Sequence, residues 1–374
     1  MAIYNILVVD DSVFMRKIVS DLISENSQYN VVGTAKNGQE AIEQVRLLRP
    51  DAVTMDVEMP VMNGLDALHH IMKEHPTPVI MLSSLTQEGA AETIQALEWG
   101  AIDFIRKPSG SISLDLYKVK QLLHEKLHMA VRTKMRAVQP TYEQPTAPAK
   151  SNVQFSQTTR SATDTMKQMD SKILASQPTT HFDHVVAIGT STGGPRALHQ
   201  VISNVPAGFP APILIVQHMP PNFTKSLAQR LNDISQIRVV EAEDGVVLQT
   251  ATAYVAPGGW HMVVYKDVNR TYKIRLTKDD PVSGHRPSVD VMFDSLVNIH
   301  DLKRHAVLMT GMGSDGAKGM LSLRQSGAIT TIAEAEETCV VYGMPRAAVE
   351  NHAAMHVLPQ QEIAVRLSRC VTNE

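Results

Sequence analysis

The run Asn5-Ile6-Leu7-Val8-Val9-Asp10-Asp11 decides the fold of the first third of the chain. Its four central apolar residues, uninterrupted by polar ones, read as a strand buried on both faces, as in a parallel sheet covered by helices. Working outward, similar runs recur at 31–34, 52–55, 79–82 and 102–105. The stretches 13–24, 39–48, 64–73 and 90–99 lie between or beside them and carry apolar residues at helical spacing. Five strands alternating with helices predict a parallel sheet wound on both faces.

A second α/β unit is expected further on. Residues 185–188, 213–217 and 306–309 are apolar runs, each followed by a helix-like stretch, with a strand-rich insert at about 237–276 expected to form an antiparallel excursion. Between the two units, residues 126–182 hold 8 Lys+Arg against 3 Asp+Glu and only 8 Leu, Ile, Val or Phe in 57 positions. That is too little apolar surface to offset the entropy of ordering them. The expected organisation is therefore a first domain at 1–125, a flexible linker at 126–182 and a second domain at 183–374. A helix at 116–135 is expected to run from the first domain into the linker.

Composition excludes several classes. With 43% apolar and 20% charged residues the chain is globular in balance. A net charge of −3 argues against a main role in holding nucleic acid. No apolar run approaches the ~18 residues of a membrane span, and the N-terminus enters a strand without a basic region or cleavage site. Cys339 and Cys370 make neither a disulfide framework nor a C-x-x-C zinc site. A cytoplasmic protein without direct membrane insertion is the expectation.

The strand ends carry the chemistry. Asp10 and Asp11 follow the first strand and Asp56 the third, and ligands of open parallel sheets sit beyond the carboxyl ends of strands. Three converging carboxylates call for a cation, and Mg²⁺ suits an all-oxygen site. Ser83 ends the fourth strand and Lys107 the fifth, adding a hydroxyl and an ammonium to a carboxylate nucleophile. Such a set can accept a phosphoryl group. In the second unit Ser191 lies in Gly189-Thr190-Ser191-Thr192-Gly193, a strand-to-helix turn of the G-x-S-x-G kind. The same turn also fits a phosphate cradle or a plain loop. His218, ending the run 213–217, and Asp315, in the loop after 306–309, supply a base and an orienting acid at the same sheet edge. His261 and His285 rival the base, and Asp290 and Asp294 the acid. The chain order Ser…His…Asp differs from the Ser…Asp…His of α/β-hydrolases.

Two resemblances follow from these motifs. "ILVVDDS", "DAVTMDVEMPVMNGLDAL", "PVIMLSS" and "DFIRKP" resemble the receiver domain of two-component response regulators. The resemblance implies that Asp56 is the phosphoacceptor and that Asp10, Asp11 and the Glu58 backbone carbonyl help hold Mg²⁺. It also implies that Ser83 and Lys107 contact the phosphoryl group and that Phe104 takes the place of the switch aromatic. "AIGTSTGGPRAL", "QHMPPNFTKSLAQRLN", "APGGWHM", "GHRPSVDVMFDSL", "LMTGMGSDGAKGM" and "YGMPRAA" resemble the catalytic domain of chemotaxis protein-glutamate methylesterases. That resemblance implies the triad Ser191, His218 and Asp315, with no cofactor for ester hydrolysis. Oxyanion donors are expected at the Thr192 N–H and in the Gly311–Gly313 backbone, with Met312 between. Thr190 stands where an alanine is expected, and the linker is longer than in many members. The implied substrates are methylated chemoreceptors in receptor arrays, with glutamine deamidation in many members, and the implied phosphodonor is a sensor histidine kinase. A DNA-binding output domain lacks its helix-turn-helix or basic face. The alternative of a catalytically inactive adaptor would carry a broken triad.

Overall fold

The structure, a computed structural model, describes residues 3–84, 86–107, 113–133 and 178–372. Most of the expected linker, 134–177, lies outside them. The first domain runs β1 Tyr4–Val9, α1 Val13–Ser24, β2 Tyr29–Ala35, α2 Gly38–Leu48, β3 Ala52–Asp56, α3 Gly64–Glu74, β4 Val79–Ser83, α4 Gln87–Glu98, β5 Asp103–Arg106 and α5 Ser113–Ala130. Its five strands are parallel in the order β2-β1-β3-β4-β5. The pleat sends Ile6 and Val8 toward Val19, Ile23, Leu123 and Leu127, and Leu7 and Val9 into the opposite layer with Ala41, Val45 and Leu68. Each of the first four helices starts on a side chain that accepts a backbone N–H: Ser12, Asn37, Asn63 and Thr86.

The second domain runs β6 His184–Thr190, α6 Gly194–Ile202, β7 Ile213–Gln217, α7 Phe223–Ile234, β8 Arg238–Glu241, β9 Thr252–Val255, β10 His261–Lys266, β11 Tyr272–Thr277, α8 Val289–Val297, β12 Lys303–Leu308, α9 Ala317–Gln325, β13 Thr330–Glu334, α10 Met344–Glu350, β14 His356–Leu358 and α11 Gln360–Thr372. Seven strands form a parallel sheet in the order β14-β13-β12-β6-β7-β9-β8. β6 starts in the middle, the chain moves outward through β7, and it returns to β12 on the other side. The switch point therefore lies between β6 and β12, where open α/β sheets bind their ligands.

The antiparallel excursion expected within 237–276 is the β10–β11 pair, while β8 and β9 of the same stretch extend the parallel sheet. One helix boundary needs correction. Helix α5 ends at Ala130 rather than 135, yet residues 126–130, assigned to the linker, are helical and bury Leu127 and Ala130 in the first domain's core.

The domains are in contact. The apolar layer that begins at Leu7 and Val9 continues through Leu97, Ala101 and Phe104 into Phe223 and Ala228 of the second domain. Phe104 stacks on Phe223 with ring centroids 4.5 Å apart, and the Arg230 guanidinium donates to Glu98 at 2.9 Å.

One glycine fixes how α3 follows the end of β3. A Cβ at Gly64 would lie 1.9 Å from the carbonyl oxygen of Asp56. Gly64→Ala must push the helix off the strand end, so it should cost roughly 1–3 kcal/mol of first-domain stability. The checkable result is a lower urea midpoint for the first-domain transition in the full chain.

Candidate active site

In the first domain Asp10, Asp11 and Asp56 each offer a carboxylate oxygen within 4.8 Å of the others. Asp10 and Asp56 are buried and Asp11 is exposed. The Lys107 ammonium bridges the buried pair, 2.9 Å from Asp10 and 2.7 Å from Asp56. Burial, with Asp10 adding to it, raises the Asp56 carboxyl to about 6 against the opposing pull of Lys107 and the backbone at Glu58. An open cavity of about 440 Å³ lies over this group, lined by Asp11, Asp56, Glu58, Ser84 and Lys107. Hard oxygen donors set this close fit Mg²⁺.

Ser83 adjoins this cluster through its backbone, its carbonyl accepting from Lys107 N–H at 2.9 Å, but its hydroxyl and the Phe104 ring are turned to other partners. The buried Ser83 hydroxyl faces α4, within 3.1 Å of the Ser84 carbonyl and 3.3 Å of the Gly89 carbonyl, and it accepts from Thr93 at 2.7 Å. Phe104 is held in the interdomain stack instead. The sequence places both on strands but cannot say which way they turn.

In the second domain the serine turn follows from its glycines. Gly193 takes φ +78°, a left-handed conformation that suits glycine, and α6 starts directly after it. The Ser191 N–H donates to the Thr310 carbonyl at 3.0 Å, while its own carbonyl accepts from Gly194 N–H. A Cβ at Gly311 would lie 2.7 Å from the Ser191 Cβ, so the loop after β12 closes on the serine because residue 311 has no side chain.

Thr190 pairs with Gln217 in the sheet register, so Ser191 and His218 emerge side by side. The His218 Nε2 lies 2.8 Å from Asp315 Oδ2, with both side chains nearly buried. Its Nδ1 has no hydrogen-bond partner in the structure. Asp315 accepts three further bonds, from the Ser288 hydroxyl at 2.8 Å, Val289 N–H at 2.7 Å and Asp290 N–H at 3.1 Å. Burial alone would raise this carboxyl. The bond and charge of His218 and the two helix-start N–H groups overcome it and hold the pKa at about 2. The acid therefore stays ionised at any working pH.

The rivals fall into other roles. His261 is buried between the Asp280 carbonyl and the Ser288 N–H, bracing the loop that carries Ser288. His285 stacks on His218, ring centroids 3.8 Å apart and planes 6° from parallel. Asp290 accepts from Gly319 N–H at 2.7 Å, at the start of α9. Asp294 is exposed on α8.

Three residues of the site escaped the sequence reading. Gln217 donates from Nε2 to the carbonyls of Ser191 (2.9 Å) and His218 (3.2 Å), and its Oε1 accepts from the Thr190 hydroxyl at 2.7 Å. The departure at Thr190 thus orients the amide that clamps both turns. A polar residue closing an apolar strand beside the histidine was the available signal. Ser288 caps α8 while donating to Asp315. Asp103, from the first domain, accepts from the Thr192 hydroxyl at 2.6 Å and pairs with Lys126 at 2.5 Å. The first domain therefore lies on the residue after the serine. Nothing in the sequence around Asp103 announces this.

Comparison with known proteins bears on both halves. The response regulator receiver domain profile matches residues 6–116, and the CheB methylesterase profile matches residues 186–367. The protein-glutamate methylesterase/protein-glutamine glutaminase of Geobacillus kaustophilus is 47% identical over 371 residues, covering 99% of each chain. Its counterpart of the same description in Bacillus subtilis is 45% identical over 370 residues, again covering 99% of each. The crystal structure of the Thermotoga maritima CheB methylesterase catalytic domain aligns at 45% identity and a TM-score of 0.49, covering 51% of this chain and 100% of that one. Near-full-length identity of this order decides membership: the chain belongs to the CheB methylesterase family, with a response regulator receiver domain ahead of its methylesterase domain.

Proposed function

We propose that this chain is a phosphorylation-controlled serine hydrolase that removes methyl esters from glutamate side chains of chemoreceptors. The observation that carries it is the His218–Asp315 pair, 2.8 Å apart, beside Ser191 on adjacent strands of the switch point. Ser191 Oγ attacks the ester carbonyl while His218 takes its proton. Because Nε2 is committed to Asp315, the accepting nitrogen is Nδ1. Asp315 then faces an imidazolium it is already ionised to stabilise. The N–H groups of Thr192 and Met312 receive the developing oxyanion. His218 gives the proton to the departing methoxide oxygen, which leaves as methanol, and water cleaves the acyl-enzyme to free glutamate. The same route with ammonia as leaving group deamidates a glutamine side chain, the second activity named for the relatives.

Control comes from the receiver. Asp56 accepts a phosphoryl group from a sensor histidine kinase, with Asp10, Asp11, Asp56 and the Glu58 carbonyl holding Mg²⁺ and Lys107 meeting the phosphoryl oxygens. Bound there, the cation offsets the charge gathered at the acids. Drawing the Ser83 hydroxyl toward the phosphoryl group takes it from Gly89 and Thr93 of α4, the helix that carries Glu98. That repacks the face on which Phe104 meets Phe223, and the cover over Thr192 lifts. The protein is cytoplasmic and works at receptor arrays in this reading. Among the described residues no helix is long and apolar enough to cross a membrane. An inactive adaptor finds nothing in its favour, since Ser191, His218 and Asp315 are all present.

Methanol release from methylated receptor membranes tests the chemistry. Ser191→Ala should lower kcat by on the order of 10³–10⁶ in a protein that still takes up phosphate at Asp56, whereas Asp294→Ala should stay within about threefold of the parent. Retention of activity by Ser191→Ala would sink the mechanism.

The cover is tested on the full chain without phosphodonor. Asp103→Ala removes the bonds to Thr192 and Lys126, so basal activity should rise about 5-fold or more and stimulation by donor should shrink. Basal activity unchanged, with donor stimulation intact, would rule out this contact as the control.

A further inference from the structure

His285 sits on a part of the chain that holds its shape without the ring. Residues 282–285 close a two-residue turn, with Val282 N–H donating to the His285 carbonyl at 3.1 Å and His285 N–H to the Val282 carbonyl at 2.9 Å. Ser283 and Gly284 between them take φ +53° and +80°. The Arg286 guanidinium donates to the carbonyls of Lys278 and Asp279, and the Arg286 carbonyl accepts from Gly259 N–H. The imidazole is thus offered to its neighbour from a braced backbone. That neighbour is His218, whose ring lies parallel to it at 3.8 Å.

A single hydrogen bond at Nε2 fixes one point of the His218 ring and leaves it able to rock about that bond. Nδ1, which has no partner in the structure, cannot supply a second point. We propose that His285 is the second point: a positioning residue whose flat aromatic face holds the His218 ring on line between Asp315 and Ser191 and stabilises the imidazolium formed when the serine gives up its proton. Burial, then the neighbouring His218, push the His285 imidazole down to about 4 against the opposing pull of Asp315, with Lys126 of the receiver adding a smaller push in the same direction. It is therefore neutral when His218 becomes charged. A cation against a neutral aromatic face is attracted, while two charged rings would repel. This inference rests on His218 being the general base.

The experiment compares His285→Phe, His285→Leu and His285→Ala with His218→Ala in the full chain, phosphorylated, on methylated receptor membranes. Phenylalanine keeps the flat face, leucine keeps the bulk alone, and alanine keeps neither. His285→Phe should hold kcat within about threefold, while His285→Leu and His285→Ala should lose about tenfold or more in kcat with KM little changed. Equal kcat in Phe and Leu, or a loss confined to KM, would overturn the proposal. If alanine unfolds the loop, the Phe–Leu pair still decides. Failure of the underlying reading is separate, since it would appear as activity surviving in His218→Ala.

Discussion

A carboxylate buried as deeply as Asp315 needs donors for its oxygens, and the arrangement that supplies them organises the catalytic half of the molecule. The start of α8 gives two N–H groups, which point outward at a helix N-terminus and favour negative charge there. Ser288, the cap of that helix, adds a hydroxyl, and His218 adds a ring N–H. Two glycines then let the parts meet. A Cβ at Gly189 would lie 2.3 Å from Val289 Cγ1, and one at Gly316, where φ is +88°, would lie 2.6 Å from the same atom. The strand that carries the serine, the loop that carries the acid and the helix that steadies it therefore share one point of contact. Moving any of the three leaves a charge in a low-dielectric place with too few partners, which is costly.

The clamp at Gln217 extends that logic to the nucleophile. Its amide spans the carbonyls after the serine and after the histidine, and the Thr190 hydroxyl decides which way the amide faces. Ser191 and His218 are thus tied through backbone, whatever their side chains do.

Where the sequence alone succeeded, a single segment carried the answer. The strand 5–9 was legible because its apolar run needs no partner to be read, and α1 begins and ends at the expected residues because Ser12 is a cap next to an amphipathic stretch. That Ser191, His218 and Asp315 lie at one sheet edge was legible because each ends or closely follows a strand, and strand ends converge in parallel sheets. What stayed hidden depends on which distant segments meet. His285 read as a rival base because its turn is marked by glycine and proline, and only the fold brings its ring flat against His218. Asp103 is an ordinary residue at a strand start until the domains dock. β8 and β9 lie among turn residues that suggest hairpins, and their parallel pairing is set by the sheet they join. The direction of the Ser83 hydroxyl depends on α4, one turn of chain later.

The interface that covers the site is weak in its parts, and that suits a switch. The Arg230–Glu98 pair is half exposed on the arginine side, so it contributes at most about 1 kcal/mol. The Phe104–Phe223 stack adds about 0.5–1.5 kcal/mol beyond the area it buries. The Asp103–Thr192 bond exchanges solvent partners for each other, and a net gain of roughly 1.5–3 kcal/mol is the ceiling for such a charged acceptor. These three terms alone would not hold two separate proteins together against the loss of free motion, and the apolar layer of Leu97, Ala101, Phe104, Phe223 and Ala228 adds to them. The 44 residues between 133 and 178 join the domains in one chain, however, which makes docking an intramolecular event with a far smaller entropic cost. Closure then needs only a few kcal/mol, and so does opening. In the control proposed above, a covalent change at Asp56 that drew Ser83 from α4 and disturbed one aromatic stack would act on this balance.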